Sequence, residues 1–129
     1  MVYWPLLPII DQISLRVDIR KTLLQQHSKQ SAIKVALHVG NSSHRFKQLV
    51  KIYLSGPYRV TQRASWPLSI CVEKSPELLG PHLKAILMHL ERPDIHDAVK
   101  RNTIRLLQFV DIPARFQGKV IDLCFRYLQ

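Results

Sequence analysis

Val60-Thr61-Gln62-Arg63 and Ala98-Val99-Lys100-Arg101 are the two segments whose likeness decides the fold, and a shift of 38 residues separates them. Each opens an amphipathic stretch of helix length. At the same shift Leu68 falls on Leu106 and Val72 on Val110, while upstream Leu49, Val50 and Ile52 fall on Leu87, Met88 and Leu90. With one deletion, Pro76, Leu79, Leu83, Ile86 and Met88 fall on Pro113, Phe116, Val120, Leu123 and Phe125. Self-similarity at a period of about 20 to 50 residues marks stacked units, none of which buries its apolar face alone. The unit here is one helical hairpin.

Helix breakers divide the remainder, and no stretch alternates in the manner of a strand. A first helix is expected over 11–26, with Ile13, Leu15, Ile19, Leu23 and Leu24 apolar. A second, over 29–39, has Ser28 to cap its start and Gly40 where a left-handed residue ends a helix. Ser42 or Ser43 caps a third, carrying Phe46, Leu49, Val50, Ile52 and Tyr53 and stopping at Ser55-Gly56-Pro57. The fourth, over 58–74, places Val60, Ala64, Leu68, Cys71 and Val72 on one side, with Pro67 expected to kink or break it.

Ser75-Pro76-Glu77 is expected to open a fifth helix directly, with Leu79, Leu83, Ile86, Leu87 and Leu90 facing inward. A sixth is expected over 95–110 on Val99, Thr103, Leu106, Leu107 and Val110, and a last one over 113–129. The domain reading is an apolar arm at 1–10 followed by a single domain over 11–129, with hairpins at about 11–40, 42–74 and 77–110.

A chain of 129 residues with 47% hydrophobic content is sufficient for one continuous core. The arm lacks the basic leader of a signal peptide and is too short to span a bilayer, so no membrane role is expected. Cys71 and Cys124 lie in apolar helical runs and read as reduced core residues of a cytoplasmic protein. The net charge is +10, of which residues 1–74 carry +8. Such a field favours anionic partners, either nucleic acid or an acidic protein.

The helix pairing, the basic residue at Arg63 and Arg101, and the proline-bearing helix resemble the HEAT and armadillo class of repeats. That resemblance implies an all-α fold: about seven helices stacked as a short right-handed α-solenoid. It also implies that the second helix of each hairpin lines an inner surface. Arg59, Arg63 and Trp66 follow i, i+4, i+7 spacing in the fourth helix, and Arg101 and Arg105 continue the stripe in the sixth. Together they form the candidate binding groove, in which arginines would hold anionic groups and Trp66 would stack. The bland alternative has Arg101 pairing with Asp97 and Trp66 packing between repeats. Arg16, Arg20 and Lys21 with Lys47 and Lys51 offer a second basic surface, which is more simply a solvated face.

No reaction is written in these residues. His82, His89 and His96 recur every seven residues, but no paired metal-ligand motif accompanies them, and neither metal nor cofactor is expected. Nucleophile-elbow and phosphate-loop motifs are missing from the sequence. In architecture and charge the chain is similar to HEAT-like alkylpurine DNA glycosylases, although no position carries their catalytic aspartate. The signature loop of the helical fumarase-type lyases is also missing. The expected function is therefore a non-enzymatic scaffold that binds a protein or other macromolecule through its inner helical face; the alternative is a basic nucleic-acid-binding protein, with DNA repair as its most specific version. The last helix, with Val120, Leu123, Cys124, Phe125, Tyr127 and Leu128, is too apolar for a solvated end cap. A homodimer or a longer array would cover it.

Overall fold

The computed structural model describes residues 18–25 and 28–128, and among these described residues there are seven α-helices. The expected arm at 1–10, the positions Ile13 and Leu15, and Arg16 lie outside the described residues. The helices are α1 (Ile19–Gln25), α2 (Lys29–Val39), α3 (Ser43–Ser55), α4 (Tyr58–Lys74), α5 (Leu83–Leu90), α6 (Asp97–Leu107) and α7 (Ala114–Leu128). Among the described residues there is no strand, so the all-helical repeat architecture holds.

Local chemistry sets the helix ends. Ser28 Oγ accepts from the Ser31 amide at 3.1 Å and Ser42 Oγ from the Arg45 amide at 3.2 Å, satisfying first-turn donors that no carbonyl can reach. Gly40 closes α2 at φ 54°, a conformation disfavoured for any residue with a Cβ. Gly56 serves close approach instead: a Cβ there would stand 2.7 Å from Val60 Cγ1 and 2.8 Å from the Ile52 carbonyl. The α3–α4 hairpin can therefore turn without a spacer.

Several expectations are corrected. The described part of the first helix starts at Ile19 because Asp18 caps it, accepting from the Lys21 amide at 3.0 Å. Leu24 faces outward at 46% exposure, while Ile19 and Leu23, four residues apart, share the core side. The fifth helix does not start at Ser75. Two 3₁₀ turns, Pro76–Leu78 and Gly80–His82, precede α5, and Pro81 in the second of them has no amide to donate to an i−4 carbonyl. The sixth helix spans Asp97–Leu107 only, with His96 as its cap: Nδ1 accepts from the Ala98 amide at 3.1 Å. Pro67 does not break α4, which runs through it with the ring buried.

The stripe positions named from the sequence in α3 to α6 form the core. Phe46, Leu49, Tyr53, Ala64, Leu68, Ile86, Leu90 and Leu106 are each fully enclosed, in one cluster reaching from Ile19 to Leu123, and Val60 is buried beside the α3–α4 turn. Each leucine enclosed this way contributes roughly 1.5–3 kcal/mol. Helix α4 is the hub, packing against α1, α2, α3 and α6. That enclosure offsets the proline in its middle. Val110 and Ile52 pack at the edge of the cluster, and Cys124 is only half-buried.

Candidate functional site

The second helices α4 and α6 carry the arginine stripe, and named contacts hold their register. Asn102 Nδ2 donates to Ser65 Oγ at 3.1 Å, across a separation of 37 residues, close to the repeat itself. Ser65 Oγ donates its own hydrogen bond to the Gln62 carbonyl at 2.7 Å, so its lone pair faces Asn102. Tyr53 and Thr103 share a buried hydroxyl contact of 2.7 Å, tying α3 to α6. Thr61 Oγ1 donates to the Tyr53 carbonyl at 2.9 Å, which fixes the start of α4 against α3.

The structure gives the stripe residues different environments. Arg63 Nη1 donates to the Leu23 and Leu24 carbonyls at 3.0 and 2.9 Å, tying α4 to the last described turn of α1. Trp66 is half-buried, and its carbonyl accepts from Ser69 Oγ at 2.8 Å. Arg59, Arg101 and Arg105 are exposed, and none makes an ion pair or side-chain hydrogen bond among the described residues. Asp97 pairs with Lys100 at 3.9 Å, and Asp94 with Arg92 at 3.1 Å. The bland pairing of Arg101 with Asp97 is therefore not the one adopted.

Arg20 and Lys21 on α1 and Lys47 and Lys51 on α3 are exposed. The two pairs lie on helices without a substantial mutual contact. A cleft of about 430 Å³ lies between the 3₁₀ turns and the loop before α7, lined by Pro76, Leu79, Leu83, Phe109 and Val110 among others. None of the residues nominated from the sequence lines it.

Three of the six histidines face rings. His82 stacks on Phe46 with centroids 5.6 Å apart, His89 tilts against Tyr53 at 4.8 Å, and His96 meets the edge of Tyr58 at 5.1 Å. Among the described residues no three His, Cys, Asp or Glu side chains gather in a metal-binding group. Burial pushes the Cys71 thiol up to about 12, against a smaller opposing pull from Lys74, so it keeps its proton at neutral pH. Sequence reasoning missed the Arg63, Asn102 and Tyr53 contacts. The separations in the first two, 40 and 37 residues, carry the repeat period and were the available signal.

Comparison with known proteins agrees with the helical-repeat architecture. A family model described as a HEAT repeat domain matches residues 19–129. No curated protein and no solved structure matches the chain. No described helix is long and apolar enough to cross a membrane.

Proposed function

Because the chain belongs to the HEAT-repeat family, we propose that it is a binding scaffold that holds an acidic segment of a partner protein along α4 and α6, through Arg59, Arg101 and Arg105. One observation carries the reading. These three guanidinium groups are exposed and unclaimed by any described carboxylate, on neighbouring helices held in register by Asn102 and Ser65. Stacked helical repeats present extended surfaces suited to such segments. Arg63 supports the surface from within, by fixing α1 to α4. The proposal places the protein in a reducing compartment, where Cys71 and Cys124 remain thiols.

Nucleic acid is the second reading, favoured by the net charge of +10. Fluorescence anisotropy separates the two, using a labelled polyglutamate peptide, duplex and single-stranded DNA, and RNA across a salt series. The expected result is peptide binding that weakens about tenfold on replacing Arg59, Arg101 and Arg105 together by Ala. Tighter binding to nucleic acid, with a steep salt slope lost in the same triple variant, would replace the first reading by the second. Indifference of every probe to the triple variant removes the arginine surface altogether.

A further inference from the structure

Helix α7 has two apolar sides. Leu123, with Phe116 and Val120 beside it, packs inward, and α5 is the helix that receives it. On the opposite side, Ala114, Gly118, Ile121 and Phe125 follow i, i+4, i+7, i+11 spacing and are all exposed, Ile121 at 54% and Phe125 at 67%. Large apolar side chains aligned so on one helix face lack a covering element among the described residues. Gly118 sharpens the point. Glycine within a helix costs conformational entropy relative to alanine, yet a Cβ at Gly118 would meet no atom within 4 Å. Nothing in the described fold requires the side chain to be missing.

The stripe is complementary to itself. When two copies of α7 are laid antiparallel about a two-fold axis between residues 119 and 120, Phe125 of one copy falls on Ala114 of the other, and Ile121 falls on Gly118. Both large residues then meet small ones, and the pattern occurs twice, as an isologous contact requires. The flanking charges agree with it. Asp122 and Arg115 lie along the same edge of the stripe, and antiparallel pairing brings the Asp122 of each copy within about half a turn of Arg115 of the other. Lys119 is already engaged, 2.9 Å from Glu91. A parallel arrangement would instead set Phe125 on Phe125 and leave both glycines facing empty space.

We propose that α7 is a homodimerisation helix, two copies packing antiparallel through Ala114, Gly118, Ile121 and Phe125. The contact uses one helix per copy, so it is smaller than the roughly 800 Å² per partner of a standard interface, and the dimer is weak and concentration-dependent. It is independent of the arginine surface, and either can fail without the other.

Sedimentation velocity of the full chain over a concentration series tests this. The mass should move from 15.0 kDa toward twice that value as concentration rises. Gly118→Leu, which fills the seat of Ile121, and Phe125→Glu should both remain monomeric. Gly118→Ala keeps the fold testable: it should raise the thermal midpoint while weakening the dimer, opposite effects that no general loss of folding can produce. Asp122→Arg should weaken association about three- to tenfold at low salt, and adding Arg115→Asp should restore it. A monomer at every concentration overturns the proposal. So does a dimer indifferent to Gly118→Leu, and a charge swap that fails to restore association overturns the antiparallel register.

Discussion

Arg63 and Arg101 occupy the same position in successive repeats and do different work. Arg63 sits on α4, which has helices on four sides, and its guanidinium is spent on two carbonyls at the end of α1. Arg101 sits on α6, which has its main contact with α4 and a lesser one with α5, and its side chain is exposed and uncommitted. Equivalence in the repeat fixes where a residue stands on its helix. What the residue does is decided by whether a further helix stands beside it. The inner hairpin is thereby a structural centre, and the outer one keeps surface available for a partner.

The sharpest way to break this contrast is in the core, at another pair one repeat apart. Leu68 and Leu106 are both fully buried. Leu68→Ala leaves a cavity that α1, α2, α3 and α6 cannot all close around, and should cost about 4 kcal/mol; Leu106→Ala, on a helix with an open side that can relax, should cost about 2–3 kcal/mol. Urea denaturation of both variants measures the difference. Equal costs would show that α4 is no more central than α6.

A smaller effect is expected at the arginines themselves. Arg63→Ala removes two charge-assisted hydrogen bonds at a partly exposed site and should cost about 1–2 kcal/mol, with α1 losing hydrogen-exchange protection first. Arg101→Ala should stay within about 0.5 kcal/mol, as surface changes away from fixed partners do. A cost at Arg101 matching that at Arg63 would make both arginines structural and withdraw Arg101 from the proposed surface.

The sequence was informative where the physics is local. Ser28, Gly40 and Ser42 end helices by chemistry completed within four residues, and the enclosed stripe from Phe46 to Leu106 follows from periodicity alone. Pro81 carried its own signal, a missing amide, but the apolar spacing across it resembled one continuous helix. Arg63, Asn102 and Tyr53 were not legible as contacts. Their partners lie 37 to 50 residues away, and only the stacking of hairpins brings them within reach. The candidate site inherits this limit: spacing put Arg59, Arg63 and Arg101 on one stripe, and tertiary packing took Arg63 for another task.

The smallest effect tests the two hairpins through their shared seam, where α3 supplies rings and the third hairpin supplies histidines. Burial, with Lys47 of α3 adding to it, holds His82 below its ordinary 6.5. Burial also lowers His89, reinforced by Arg92 and partly opposed by Asp94, and its Nδ1 lies buried without a hydrogen-bond partner among the described residues. Tyr53, facing His89, has its hydroxyl engaged by Thr103 and offers no acid to balance an imidazolium. The folded state thus favours both neutral rings. Stability is complete above pH 6.5 and is lost as pH falls from there toward the lowered folded values, because the unfolded chain takes up these protons first. Hydrogen exchange at pH 7.5 and 5.5 should show amides of α5 and α6 losing protection at the lower pH before those of α3 and α4. His89→Leu should flatten much of that dependence, since the ring is buried and a leucine fills the seat without a titrating group. If α3 and α4 open first, or if His89→Leu leaves the pH response unchanged, the seam does not distinguish the two hairpins, and the order of their stabilities rests on α4's neighbours alone.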